Sequence, residues 1–108
     1  MQHLDMLDAV AACGARTLVD VGPLPERNVA WYLELAPQVD VQIVLSTGFY
    51  LEARTPEPFR SFDEGQCVER FRRELAEGIG DSGVRASLIK AASNKAELTD
   101  WERTVLRA

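Results

Sequence analysis

At 108 residues, with 46% hydrophobic and 27% charged residues, the chain has the composition of one soluble globular unit. Its net charge of -5, with lysines and arginines scattered among acids, excludes the basic stripe of a nucleic-acid binder. No apolar run approaches the ~18 residues needed to span a membrane, and Met1-Gln2-His3-Leu4-Asp5 lacks the basic-then-apolar order of a signal peptide, so a cytoplasmic protein without nucleic-acid or membrane partners is expected.

Helical and strand patterns alternate in the order α-β-α-β-α-β-α. Leu4, Leu7, Val10 and Ala11 recur at helical spacing, and Gly14 stops this first helix. Thr17-Leu18-Val19-Asp20-Val21 is a short β-rich run ended by Gly22-Pro23. A second helix is expected from Asn28, a suitable cap, to Leu35, with Pro37 ending it. Val41 to Thr47 reads as the second strand. The charged, proline-bearing stretch from Leu51 to Phe62 is too long for a tight connection and is a candidate functional loop.

The third helix is expected from about Glu64 to Ile79, with Val68, Phe71, Leu75 and Ile79 on its apolar side. Glu69, Arg70, Arg72, Arg73 and Glu74 read as its solvated face. Gly80-Asp81-Ser82-Gly83 turns the chain into a third, buried strand in the run Val84 to Ser93, closed by Lys90. Thr99-Asp100-Trp101-Glu102 then has the form of a capping box opening a fourth helix. That helix meets Ala108 with no glycine, asparagine or proline to stop it, so the sequence reads as cut off. Cys13 and Cys67 belong to no Cys-x-x-Cys pair and are expected as two buried free thiols.

The third strand carries the most informative residue. Alternation puts Val84, Ala86, Leu88 and Lys90 on one side and Ser87, Ile89 and Ala91 on the other, so a cation sits in register with an apolar row. Burying it charged is expensive; it must be paired, reach water along its apolar stem, or become a neutral amine able to react. Strands alternating with helices imply a parallel sheet with right-handed crossovers, either doubly wound or part of a barrel. No Gly-x-Gly-x-x-Gly follows the first strand, and no Gly-x-x-x-x-Gly-Lys-[Ser/Thr] loop is present.

Three blocks, Thr17-Leu18-Val19-Asp20-Val21, Gln42-Ile43-Val44-Leu45-Ser46-Thr47-Gly48-Phe49-Tyr50 and the run from Glu77 through Gly80-Asp81-Ser82-Gly83 to Lys90, resemble successive blocks of the phosphotriesterase family of metal-dependent hydrolases. The resemblance covers nearly the whole chain in order. It implies an α/β fold, a partial TIM (β/α)8 barrel whose three parallel strands correspond to strands 2 to 4 with flanking helices. Residues 1–108 then form a single incomplete barrel segment, with 51–62 a loop on the active-site side. The resemblance also implies that Lys90 is the carboxylated lysine that bridges two divalent metals, commonly zinc. A carbamate offers two oxygens, and a hydroxide shared by two metals attacks esters, lactones or phosphotriesters at neutral pH.

By the same resemblance Tyr50 is the substrate-side tyrosine of lactonase-type relatives, where the phosphotriesterase type has tryptophan; read alone, it is an aromatic packing a strand end. Asp20, inside an apolar strand, needs a partner, and a structural hydrogen-bond acceptor is favoured over support for the metal site. His3, the only histidine, matches no ligand position of the family and reads as a surface residue. Arg27-Asn28 stands where relatives tend to have Arg-Asp, a change that affects capping more than chemistry.

The family's His-x-His pair falls before the matched region and its later ligands beyond Ala108, so Lys90 is the one metal ligand expected here. A whole barrel needs about 250 residues. The expectation is a fragment of a binuclear metal-dependent hydrolase, inactive and without bound metal by itself, whose open strand edges favour self-association. The alternative is a small noncatalytic α/β module that binds a partner or dimerises through its sheet.

Overall fold

The computed structural model describes residues 2–23 and 29–108, with side chains from residue 5 onward. The helices are α1 (Gln2–Ala12), α2 (Val29–Leu35), α3 (Glu64–Ala76) and α4 (Asp100–Arg107), and the strands are β1 (Thr17–Asp20), β2 (Gln42–Gly48) and β3 (Leu88–Lys90). Short 3-10 turns occupy Ala36–Gln38, Glu52–Arg54 and Phe59–Ser61. The sheet runs β1-β2-β3 and is parallel throughout. Leu18 lies beside Ile43, Asp20 beside Leu45 and Gly48 beside Lys90.

The period-2 alternation of β2 sorts the molecule into layers. Ile43 and Leu45 face the helices, packing with Val29, Tyr32, Ile79 and Ala86. Thr47, on the same side, donates from its hydroxyl to Glu74 Oε1 of α3 at 2.6 Å. On the opposite face Val19 and Val21 are 46% and 45% exposed, whereas Ser46 toward the end of β2 is buried. A second core gathers beyond the C-terminal end of β2, where fully buried Phe49 packs with Cys67 and Phe71 of α3 and Trp101 and Val105 of α4. Its rings are tilted, with centroids 5.4 Å apart for Phe49–Trp101 and 5.6 Å for Phe49–Phe71, the offset arrangements aromatic quadrupoles favour.

Both docking helices are capped as their sequences direct. The Asp63 side chain accepts from Gln66 N while Gln66 accepts from Asp63 N, and Thr99 and Glu102 exchange the same pair of bonds at the start of α4. The predicted cap Asn28 and its neighbour Arg27 lie outside the described residues.

Four expectations need correction. The third strand is three residues long, because Ala86 N donates to Glu74 O and Ile79 N to Val84 O, folding residues 79–86 back onto the end of α3; pairing with β2 begins only at Ser87 N, which donates to Leu45 O. Ala86 consequently packs with Leu45 and Ile79 and does not share a face with Lys90. α3 ends at Ala76, since Gly78 adopts a φ of 137° and the chain turns there, leaving Ile79 buried outside the helix. The supposed solvated face of α3 is partly interior. Glu74 is 2% exposed, held by Thr47 and by Arg70 Nη2 at 3.4 Å, and the Arg70 guanidinium lies 4.6 Å from the Phe59 ring centroid. Cys67 is buried as expected, but Cys13, just past α1, is exposed.

Candidate functional site

The C-terminal ends of the three strands meet around Lys90, and a glycine makes the approach possible. Gly48 has a φ of 110°, and a β-carbon there would fall 2.0 Å from the Lys90 carbonyl oxygen and 2.7 Å from its nitrogen. Only glycine fits. The next amide continues the contact, with Phe49 N donating to Lys90 O at 3.0 Å. Phe49 then turns into the core while Tyr50 emerges on the outer side of the strand end.

Lys90 is half-buried, and its side chain crosses above the end of β2. Nζ donates to the carbonyl oxygen of Val21, just past β1, at 3.2 Å and stands 5.3 Å from the Tyr50 ring centroid. Arg54, on the 3-10 turn after Tyr50, places its guanidinium carbon 5.9 Å from the same centroid. Both cations are within the range at which the aromatic face attracts positive charge. Val21, Gly22, Pro23, Tyr50, Arg54 and Lys90 line one cleft of about 350 Å³, near the lower end of the volumes used for small-molecule binding.

Asp20 faces away from this cleft, toward the helices. Its Oδ2 accepts a short bond from the Tyr32 hydroxyl of α2, and its Oδ1 accepts from Gly22 N at 2.7 Å. Burial, reinforced by the bond to Asp20 and its negative charge, raises the Tyr32 phenol well above its ordinary range. Asp20 thus accepts a hydrogen bond at each carboxylate oxygen. It also fixes the turn from which Val21 presents its carbonyl to Lys90.

The described residues do not by themselves compose a metal centre. No group of three or more histidine, cysteine, aspartate or glutamate side chains among them converges on a point, whereas a catalytic zinc takes three protein ligands. Lys90 and Tyr50, singled out from sequence, come together in the cleft; Asp20 is separated from it by the sheet. His3 lies in α1, away from the strand ends in sequence. The 51–62 segment divides its roles: Arg54 lines the cleft, while Phe59 and Phe62 pack against the Phe49 core and Trp101 Nε1 donates to Phe59 O at 3.2 Å. Arg54 was not anticipated. Its signal was its place four residues after Tyr50, close enough for one 3-10 turn to carry it back over the ring.

The phosphotriesterase family model matches residues 2–108. A "Phosphotriesterase homology protein" of Mycobacterium tuberculosis is 28% identical over 110 residues, which cover 94% of this chain and 34% of that protein. A solved structure of a protein engineered for organophosphate hydrolysis from a weak promiscuous lactonase template is 32% identical, with a TM-score of 0.85 over 94% of this chain and 34% of the other. A double mutant of the organophosphorus hydrolase from Deinococcus radiodurans is 33% identical with a TM-score of 0.86, over 94% and 33% of the two chains. The chain therefore spans about a third of the length of the relatives it matches. Its three parallel strands and flanking helices are part of a (β/α)8 barrel. With a family match running almost from end to end and two structures above 30% identity superposing on nearly all of it, the chain belongs to the phosphotriesterase family.

Proposed function

We propose that this chain supplies the strand-2 to strand-4 sector of a phosphotriesterase-like hydrolase acting on lactones, carboxylic esters or organophosphate triesters. The observation that carries the reading is the convergence of Lys90 and Tyr50 in one cleft at the C-terminal ends of parallel strands, the end of a barrel at which active sites are built. Members of the family generally depend on two metal ions. In the whole enzyme Lys90 would be carboxylated and bridge two divalent metals, zinc by preference, which supply Lewis acidity and activated water when bound.

The described residues offer one ligand position and not a complete centre, so no reaction step is assigned to this chain alone. Its own contributions are geometric. Gly48 sets Lys90 against the end of β2, Asp20 fixes the Val21 turn, and Tyr50 forms the substrate-side wall. The isolated chain is inactive in this reading, and its exposed Val19 and Val21 and open strand edges lead it to self-associate. No helix among the described residues is long and apolar enough to cross a membrane, and we place the protein in the cytoplasm.

Two measurements test the proposal. Purified chain incubated with excess zinc is expected neither to bind two metals stoichiometrically nor to hydrolyse a lactone or aryl phosphotriester; doing both would overturn the inactivity. Substituting the chain for the matching third of the Deinococcus hydrolase should give a metal-dependent enzyme whose activity is abolished by Lys90→Ala. A chimera that folds, loads metal and is indifferent to Lys90→Ala would remove Lys90 from the site.

A further inference from the structure

One residue of α3 bonds to both segments that meet at Lys90. Glu74, buried in the last turn of the helix, uses two different groups to do so: its carboxylate accepts from the Thr47 hydroxyl at 2.6 Å, and its backbone carbonyl accepts from Ala86 N at 2.9 Å. Thr47 directly precedes Gly48, and Ala86 stands shortly before Lys90, so the two bonds grip the chain on either side of the Gly48–Lys90 contact. The strand pairing itself is short. β3 lies against β2 at three positions, Ser46 beside Leu88, Thr47 beside Ile89 and Gly48 beside Lys90. So brief a ladder has few bonds to fix its register, and the placing of the Lys90 backbone decides whether Nζ reaches the Val21 carbonyl, 3.2 Å away. Thr47 and Glu74 are 0% and 2% exposed, so no water competes for the bond between them. Arg70 Nη2, 3.4 Å from the second Glu74 oxygen, holds the carboxylate from its other side.

We propose that Glu74 is a positioning residue for Lys90: gripping Thr47 with its side chain and Ala86 with its backbone, it sets the register at which Gly48 and Lys90 meet and thereby the place of the Lys90 amine at the strand ends. Glu74 does not line the cleft and acts through Thr47. The Thr47 hydroxyl is the removable half of this clamp, because the Ala86 bond is main chain to main chain. The placing of the amine is a property of the chain alone, whereas its consequence for catalysis rests on the hydrolase reading above.

The test compares the two lysines of the full 108-residue chain. Lys95 is exposed, whereas Lys90 is half-buried with its amine bonded to Val21 O. Brief acetylation with acetic anhydride, read by peptide mass analysis, should therefore label Lys90 about tenfold more slowly than Lys95. Thr47→Val, nearly the same shape without the hydroxyl, should raise the Lys90 rate relative to Lys95 about fivefold, and Thr47→Ser should restore the wild-type ratio. Glu74→Met should behave as Thr47→Val does, and Glu74→Gln, which keeps an oxygen for the Thr47 hydroxyl, should recover part of the loss. Leu7→Ala, at a fully buried position of α1 outside the clamp, lowers stability by another route and should leave the ratio unchanged. An equal rise in Leu7→Ala would show general loosening, and an unchanged ratio in Thr47→Val would show that the ladder alone places the lysine; either result overturns the proposal. In the chimera with the Deinococcus hydrolase, Thr47→Val should lower kcat about tenfold with KM little changed, and Thr47→Ser should recover it. A chimera indifferent to Lys90→Ala, with the labelling ratio still raised by Thr47→Val, would remove the hydrolase reading and leave the clamp. A chimera abolished by Lys90→Ala but unmoved by Thr47→Val in both activity and labelling would do the reverse.

Discussion

Gly48 and Lys90 meet backbone to backbone, so closely that a β-carbon on the glycine would lie 2.0 Å from the lysine carbonyl oxygen. Neither the strand pairing nor the position of the amine survives a side chain there. Gly48→Ala combines a left-handed backbone with a collision against main chain, and should cost about 3 kcal/mol or more. Gly14 also has a positive φ, 93°, but nothing lies within 4 Å of its missing β-carbon; Gly14→Ala should cost about 1 kcal/mol. Urea midpoints of the two variants separate collision from backbone strain, and equal losses would refute the close-contact account.

Glu74 is a buried carboxylate coupled to Thr47 and Arg70. Removing one partner strands the other, so Thr47→Val and Glu74→Met should each destabilise the chain by about 2 to 3 kcal/mol. The double variant should cost less than the sum, with a coupling of about 1 to 3 kcal/mol. Strict additivity in a denaturation cycle would mean that the pair does not interact.

Tyr32 links stability to pH on the alkaline side. Its folded-state pKa is raised above the ordinary value of 10.0, so the fold favours the neutral phenol. That contribution is complete below about pH 10 and is lost as pH climbs from there toward the raised folded value. Tyr32→Phe should cost roughly 1 to 2 kcal/mol at neutral pH, because Asp20 loses a donor, and should flatten the alkaline decline. A wild-type stability curve no steeper above pH 10 than that of Tyr32→Phe would contradict the assignment.

The two thiols should differ sharply toward alkylating agents. Cys13 is exposed, whereas Cys67 is fully buried and its thiol pKa is raised, first by burial and then by the negative charge of Asp63. Iodoacetamide at neutral pH should modify Cys13 at least about tenfold faster, with Cys67 reacting only when the Phe49 core opens. Peptide mass analysis over time reads both sites, and equal rates would indicate that the aromatic core does not hold.

How much of this was legible in the sequence follows from the range of the forces involved. Helix caps, apolar periodicity and the parallel order of strands are local or near-local, and they placed β1, β2, α3 and α4 to within a few residues. The family resemblance supplied the barrel, which periodicity could not distinguish from an open sheet. The length of β3 was misread because Ala86 N finds its acceptor on Glu74, twelve positions back, and no pattern within 84–93 announces it. The burial of Glu74 was hidden for the same reason: a charged residue among arginines looks solvated until Thr47 is brought against it. Lys90 and Tyr50 were visible as single residues, but their common cleft, and Arg54 within it, required the fold.

The bond from Lys90 Nζ to the Val21 carbonyl joins residues 69 positions apart, beside two strands that share no hydrogen-bonded ladder. β1 and β3 are both neighbours of β2 and not of each other, so this side chain acts as a drawstring across the mouth of the sheet. Any change at the amine that takes Nζ away from the Val21 carbonyl would therefore remove a tie between the two outer strand ends that the hydrogen-bonded ladders do not supply.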